Sequence, residues 1–280
     1  MHFNRYKIRP SYKKSSSVKI SKKEKDKPSR PPKTKKHKLV ETTRSKKLTS
    51  SKKSVRGGVK NSFNKRAYLP LDKWKNLLEG ETAFILGNGP SLKDQPLHLL
   101  DNYLTIGINR IFYLYDPTIL LWQDLNLWRS DKKNILSSNS IKVCRDHADP
   151  QHNFVNFSLK MNPSKFNYTP NILHGRGSTS MITSEFAVSL GCSSIVLLGV
   201  DCQYDGKNTD FYGINKDHKK HTLKLCKNTM KWIFEKCPVP IYNCGDVSYW
   251  PKLKLEDVLS RLNPKKHNRE YFENLFKKGK

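Results

Sequence analysis

The chain has 280 residues, 36% of them hydrophobic, and a formal net charge of +29, which allows one good-sized domain or at most two small ones. Six irregularly spaced cysteines, with no C-x-x-C pair, argue against a zinc site or a disulfide scaffold and for reduced thiols in a cytosolic protein. No 18 apolar residues run together, so no membrane-spanning helix is expected.

The charge is unevenly placed. Residues 1–66 hold 24 Lys and Arg against three acids (Glu24, Asp26 and Glu41), a net of +21. This Lys-rich tail has no apolar periodicity and no apolar h-region of a secretory signal, so it is expected to be disordered. Such an arm is either a solvated, solubilising segment or a contact to nucleic acid, to an anionic membrane surface, or a nuclear address in a eukaryotic host; charge alone does not separate these. Residues 67–280 carry the remaining +8 and read as one globular domain.

Within that domain, LPLDKWKNLLEGE (69–81) reads as a short opening helix ending near Gly80. TAFILG (82–87), LTIGIN (104–109), TILLWQD (118–124) and SIKVC (140–144) are short apolar runs that fit buried parallel strands. NGPSLKD, after the first of these, reads as a turn with a helix start. A stretch rich in Asn, Pro and His follows the fourth run and reads as irregular. In GRGSTSMITSEFAVSLGC (175–192), Ser178 or Thr179 caps a helix that Gly191 stops. SSIVLLGVD (193–201) is the clearest strand, KKHTLKLCKNTMKWIFEKC (219–237) a helix, PVPIYNC (238–244) a strand and LKLEDVLSRL (253–262) a short helix.

Strands alternating with helices predict an α/β fold with a Rossmann-like, doubly wound, mostly parallel sheet. Right-handed crossovers then place Gly87–Ser91, Asn109, Asp124 and Asp201 at the carboxyl ends of strands, on the edge where open α/β folds bind ligands. In GNGPS, Gly87 and Gly89 allow close backbone approach. Asn88 offers an amide to a base, ribose or phosphate, and Ser91 can cap the next helix, whose N-terminus attracts anions. The same loop is also an ordinary strand-to-helix turn.

The ordered blocks AFILGNGPSLKD, LTIGINRIF, ILLWQD, GRGSTSMITSEFAVSLGCSSIVLLGVD and VPIYNC resemble one superfamily over residues 80–262. It includes bacterial sialyltransferases with a GNGPSL loop, motility accessory factor proteins and archaeal hydroxymethylpterin pyrophosphokinase-like domains, with single-domain relatives in phages. The sialyltransferase pattern implies that Asn88, Ser91 and Asn109 hold the donor nucleotide, and that Ser178 and Thr179 stand on a donor-contacting Thr-Ser pair. It sets Arg176 before the long helix and His221 on the catalytic base. Asp124 departs from an Asn of that pattern. Tyr204 and Tyr212 are offset from two phosphate-contacting tyrosines.

The resemblance therefore implies a metal-independent glycosyltransferase that takes a nucleotide-activated sugar, a CMP-sugar first, and a hydroxyl acceptor, with no tightly bound cofactor. A His suits the base, since it is the side chain poised near neutral pH. His218 competes with His221, and each also reads as a surface His among lysines. Asp201 is either a loop cap or a ligand contact. Two alternatives stay open. One is Mg²⁺-dependent diphosphate transfer using Asp124, Asp201 and Asp205. The other is a nucleic-acid-associated protein docked by its tail. His147 and His152 read as part of a surface or gating loop. A cytoplasmic place is expected (the host cytoplasm for a viral chain), with peripheral membrane or nuclear association and homo-oligomerisation left open.

Overall fold

The chain divides into two units, Met1–Lys60 and Asn61–Lys280. A computed structural model describes residues 69–146, 154–203, 206, 208–215 and 220–278, all in the second unit. The expected disordered tail, His147, His152, Tyr204, Asp205 and His218 lie outside the described residues.

Among the described residues nine strands are formed: β1 (Leu69–Pro70), β2 (Thr82–Leu86), β3 (Thr105–Ile108), β4 (Ile119–Trp122), β5 (Ile141–Arg145), β6 (Val155–Met161), β7 (Ile172–Gly175), β8 (Ser194–Leu198) and β9 (Ile241–Asn243). The helices are α1 (Leu125–Ser137), α2 (Thr179–Ser189), α3 (Lys220–Lys236), α4 (Leu255–Leu262) and α5 (Arg269–Lys278). Eight strands pair in the order β1-β6-β5-β4-β3-β2-β8-β9, β7 pairs with the second half of β6, and every strand pair is parallel. The fold is the expected α/β, doubly wound one.

Alternation along the strands sorts the core into two layers. Ala83, Ile85, Ile106, Ile119, Leu121 and Ile195 face α2, α3 and α5, through Met181, Phe186, Ile233 and Phe272. Phe84, Leu86, Leu120, Trp122, Val196 and Leu198 face α1 and α4, through Trp128, Ile135, Leu255 and Val258. Because both faces are covered, the central strands read as unbroken apolar runs.

Three expectations are corrected. Residues 69–81 are not a helix: β1 pairs with β6, a 3-10 turn follows at Leu71–Trp74, and Asn76 takes φ +58°. Leu71, Trp74 and Leu78 have helical spacing, yet they are buried as plugs under the sheet. NGPSLKD does not start an α-helix; Pro90–Asp94 is a 3-10 segment, Pro96 holds Gln95 extended, and a second 3-10 segment follows at Leu97–Leu100. The stretch taken as irregular holds β6 and β7.

The winding fixes where a ligand would enter. From β2 the chain steps to β3 on one side, while β8 and β9 lie on the other. The sheet order therefore reverses between β2 and β8, and the crevice beyond their carboxyl ends is the ligand position of such sheets.

Candidate functional site

At this reversal the loops after β2 and β8 touch through their backbones. Gly87 N–H donates to Leu198 O at 2.8 Å and Gly89 N–H to Gly199 O at 2.7 Å. A methyl on Gly87 would collide with the Gly199 carbonyl, and one on Gly89 with the Asp201 carboxylate. Glycine is required at both positions by this close approach.

Asp201 holds the arrangement. It is 3% exposed. Its carboxylate accepts the Ser91 N–H at 2.9 Å, the Ser91 hydroxyl at 2.6 Å and the Asp246 N–H at 3.0 Å. Ser91 thus tethers its loop to β8 rather than capping a helix. Asn88 braces the other side: its amide donates to Ile108 O at 2.7 Å and accepts the Arg110 N–H at 3.1 Å. Its carbonyl accepts the Phe211 N–H at 2.7 Å.

These loops floor a cavity of about 710 Å³, whose walls include Asn109, Asp124, Ser178, Thr179 and Tyr212. Asn109 takes φ +51°, and its buried Oδ1 has no hydrogen-bond partner. A buried acceptor left unmatched costs about 1–3 kcal/mol. Gly177 has φ +82°, and Ser178 follows as the N-cap of α2, accepting the Ser180 N–H at 3.2 Å. Thr179 accepts from Gln123 Nε2 at 2.9 Å. The unpaired amide dipoles at the start of α2 favour negative charge at this wall. Asp124 is the N-cap residue of α1, without a side-chain capping bond.

Arg110, which sequence reasoning missed, is the cation of the described walls; Asp124, Asp201 and Asp210 are its anions. Arg110 pairs with Asp131 at 2.9 Å and bonds Ser130 Oγ at 3.1 Å. Burial works against its charge, but a hydrogen bond with Tyr212 and the Asp131 pairing outweigh this and raise its pKa. The guanidinium also lies 5.9 Å from the Tyr212 ring centre. Burial, with Asp210 nearby, pushes the Tyr212 phenol up to about 12 despite Arg110. Tyr212 is therefore a neutral O–H donor at physiological pH. The signal for Arg110 was its place, one residue after Asn109 at the end of β3.

The remaining expected residues stand outside the cavity lining. Arg176 is half-buried, donates to Pro163 O at 3.2 Å and lies over the Trp232 ring at 5.2 Å. His221 is exposed in the first turn of α3, while the next residues, Thr222 and Leu223, line the cavity. Among the described residues, no group of three or more His, Cys, Asp or Glu side chains is placed to hold a metal ion. No described helix is long and apolar enough to cross a membrane.

The expectation of reduced cysteines is corrected. Cys202, after β8, and Cys226, on α3, form a disulfide with Cα atoms 5.6 Å apart, and both residues line the cavity. Their separation of 24 residues gave no local signal; the fold brings them together. Cys144, Cys192, Cys237 and Cys244 are free thiols.

No protein-family model matches the chain, and no curated protein is significantly similar to it. Among solved structures it is similar to the sialyltransferase CstII from Campylobacter jejuni. The complex with the substrate analogue CMP-3FNeuAc is 15% identical, with 58% of this chain and 80% of that chain covered and a TM-score of 0.34. The complex with cytidine-5'-monophosphate is 14% identical, with 59% and 80% covered and a TM-score of 0.36. The sialyltransferase CST-II with a trisaccharide acceptor and CMP is 17% identical, with 58% and 80% covered and a TM-score of 0.34.

Proposed function

We propose that the chain is a glycosyltransferase that takes a nucleotide-activated sugar, a CMP-sugar first, and transfers the sugar to a hydroxyl acceptor without a metal ion. The observation that carries this is the cavity at the sheet reversal. Its walls include Asn109, at the end of β3, and the start of α2. Asn109 would accept from the base or ribose. Ser178, Thr179 and the amides at the start of α2 would receive the phosphate, assisted by the Tyr212 hydroxyl. The GNGPS loop would present its backbone to the nucleotide while Asn88, Ser91 and Asp201 hold it in place. Among the described lining residues Arg110 supplies positive charge, and it is paired to Asp131.

In the reaction the acceptor oxygen forms a bond to the anomeric carbon as its proton passes to a base. The bond from that carbon to the phosphate oxygen breaks, and its electron pair leaves with the nucleoside monophosphate. His221 is the proposed base. Its exposed position means that the acceptor would approach over the solvent side of the first turn of α3. Arg176, over Trp232, lies about three helical turns from His221 along α3 and takes no part in this step. The diphosphotransfer alternative is less well supported, because Asp201 is engaged by Ser91 and Asp246 instead of being open to Mg²⁺.

The test is transfer from CMP-sugar donors to a panel of hydroxyl acceptors by the wild type and His221→Ala. Loss of the base should cut kcat by about 10²–10⁴ while nucleotide affinity holds within about twofold. Unchanged turnover would remove His221, and transfer only from ATP with Mg²⁺ would replace the reaction.

A further inference from the structure

The disulfide Cys202–Cys226 has a place in the fold that suggests a use. The second half of α3 is fixed by the core, where Met230 and Ile233 are buried and Thr229 Oγ1 donates to Arg176 O at 2.5 Å. The first half forms a cavity wall through Thr222, Leu223 and Cys226. Its covalent tie is the bond to Cys202, which follows Gly199, Val200 and Asp201 on the cavity floor. Cys226 Sγ also lies 3.6 Å from the hydroxyl of Ser178, the N-cap of α2. The sulfurs therefore join the ends of β8, α2 and α3 around one cavity. Both cysteines are half-buried and open to it, whereas Cys144, Cys192 and Cys244 are buried.

We propose that Cys202 and Cys226 are a redox-controlled clasp of this cavity, exchanging with small-molecule thiols and disulfides, and that the closed, oxidised form is the one that binds nucleotide tightly. The proposal rests on the nucleotide reading above. To open the clasp, a thiolate attacks one sulfur, the Cys202–Cys226 bond breaks and a mixed disulfide forms. A second thiolate displaces the protein sulfur, releasing a small disulfide and leaving two protein thiols. Two electrons pass from the small thiols to the protein. Closure is the reverse, with a small disulfide as oxidant. In the open form the two sulfurs withdraw to van der Waals separation. The first turns of α3 then lose their tie to the β8 end, and a wall ordered in advance must be ordered on binding.

The experiment uses the full chain, oxidised with glutathione disulfide or reduced with excess phosphine, titrated calorimetrically with CMP. Reduction is expected to weaken binding about tenfold through lost preorganisation, and reoxidation to restore it. The double variant Cys202→Ser/Cys226→Ser should bind like the reduced protein in either buffer. Equal affinity of the two wild-type forms, within twofold, overturns the proposal. So does immediate alkylation of both cysteines in the oxidised protein, read by peptide mass spectrometry. If neither form binds CMP, the nucleotide reading fails by itself. The clasp is then judged by ligand-free melting: a Tm that falls on reduction in the wild type and not in the double variant upholds it as a clasp of the cavity, and an unmoved Tm overturns it.

Discussion

Asp201→Asn isolates the carboxylate that holds the GNGPS loop, with no change in side-chain size. In the wild type one carboxylate oxygen accepts the Ser91 N–H, and the other accepts the Ser91 hydroxyl and the Asp246 N–H. An amide has one acceptor and one donor end. With its NH₂ toward the Ser91 backbone, two donors face each other. Turned the other way, the NH₂ faces the Asp246 N–H, and only the Ser91 hydroxyl can rotate to accept. Either way one backbone N–H loses its partner at a site 3% exposed, and the remaining bonds lose their charge assistance. One stranded donor and two weakened bonds amount to about 3 kcal/mol. For a unit of this size that lowers Tm by roughly 6–12 °C. Thermal denaturation followed by circular dichroism measures it, and CMP titration well below the transition should show weakened binding as the loop shifts. A Tm within 2 °C of wild type, together with unchanged affinity, would refute the bracing role of Asp201.

Three other substitutions test the cavity. Gly89→Ala drives a methyl into the Asp201 carboxylate and should cost about 1–3 kcal/mol in urea unfolding. Asn109→Gly keeps the φ of +51° accessible and removes the orphaned Oδ1. Stability should stay within about 1 kcal/mol while calorimetric CMP affinity falls about tenfold; unchanged affinity would remove Asn109 from the nucleotide contacts. Tyr212→Phe should lower kcat by about 10²-fold with little change in donor affinity. Because the phenol is held up to about 12, its proton is retained below that pH and lost above it. The wild-type pH–rate profile should therefore show no limb from Tyr212 below pH of about 11.

What the sequence revealed depended on how local the signal was. β2, β3, β4 and β8 are buried on both faces, so their apolar runs stand out, and Ser178 and Gly191 mark the ends of α2 through ordinary cap chemistry. β6 alternates Val155, Phe157, Leu159 and Met161 with polar residues, a period-two pattern hidden among Asn, Pro and His. Leu71, Trp74 and Leu78 mimic a helical stripe although Pro70 and Asn76 divert the chain. For the site, strand ends located Asn109, Asp124 and Asp201 correctly on one edge. Asp201 takes the loop-cap reading of its two, but its partner was not legible, because Ser91 is 110 residues away. Nor was the closure of Cys202 on Cys226, which depends on α3 returning over the end of β8.

The cavity between the β2 and β8 loops is proposed to receive a nucleotide. Calorimetric titration of the oxidised full chain with CMP, UDP, GDP and ATP, with and without Mg²⁺, tests it most directly. The expected result is saturable one-to-one binding of CMP that is indifferent to Mg²⁺ and is weakened by Asn109→Gly. Selective binding of ATP that requires Mg²⁺, or no binding of any of the four, would contradict it.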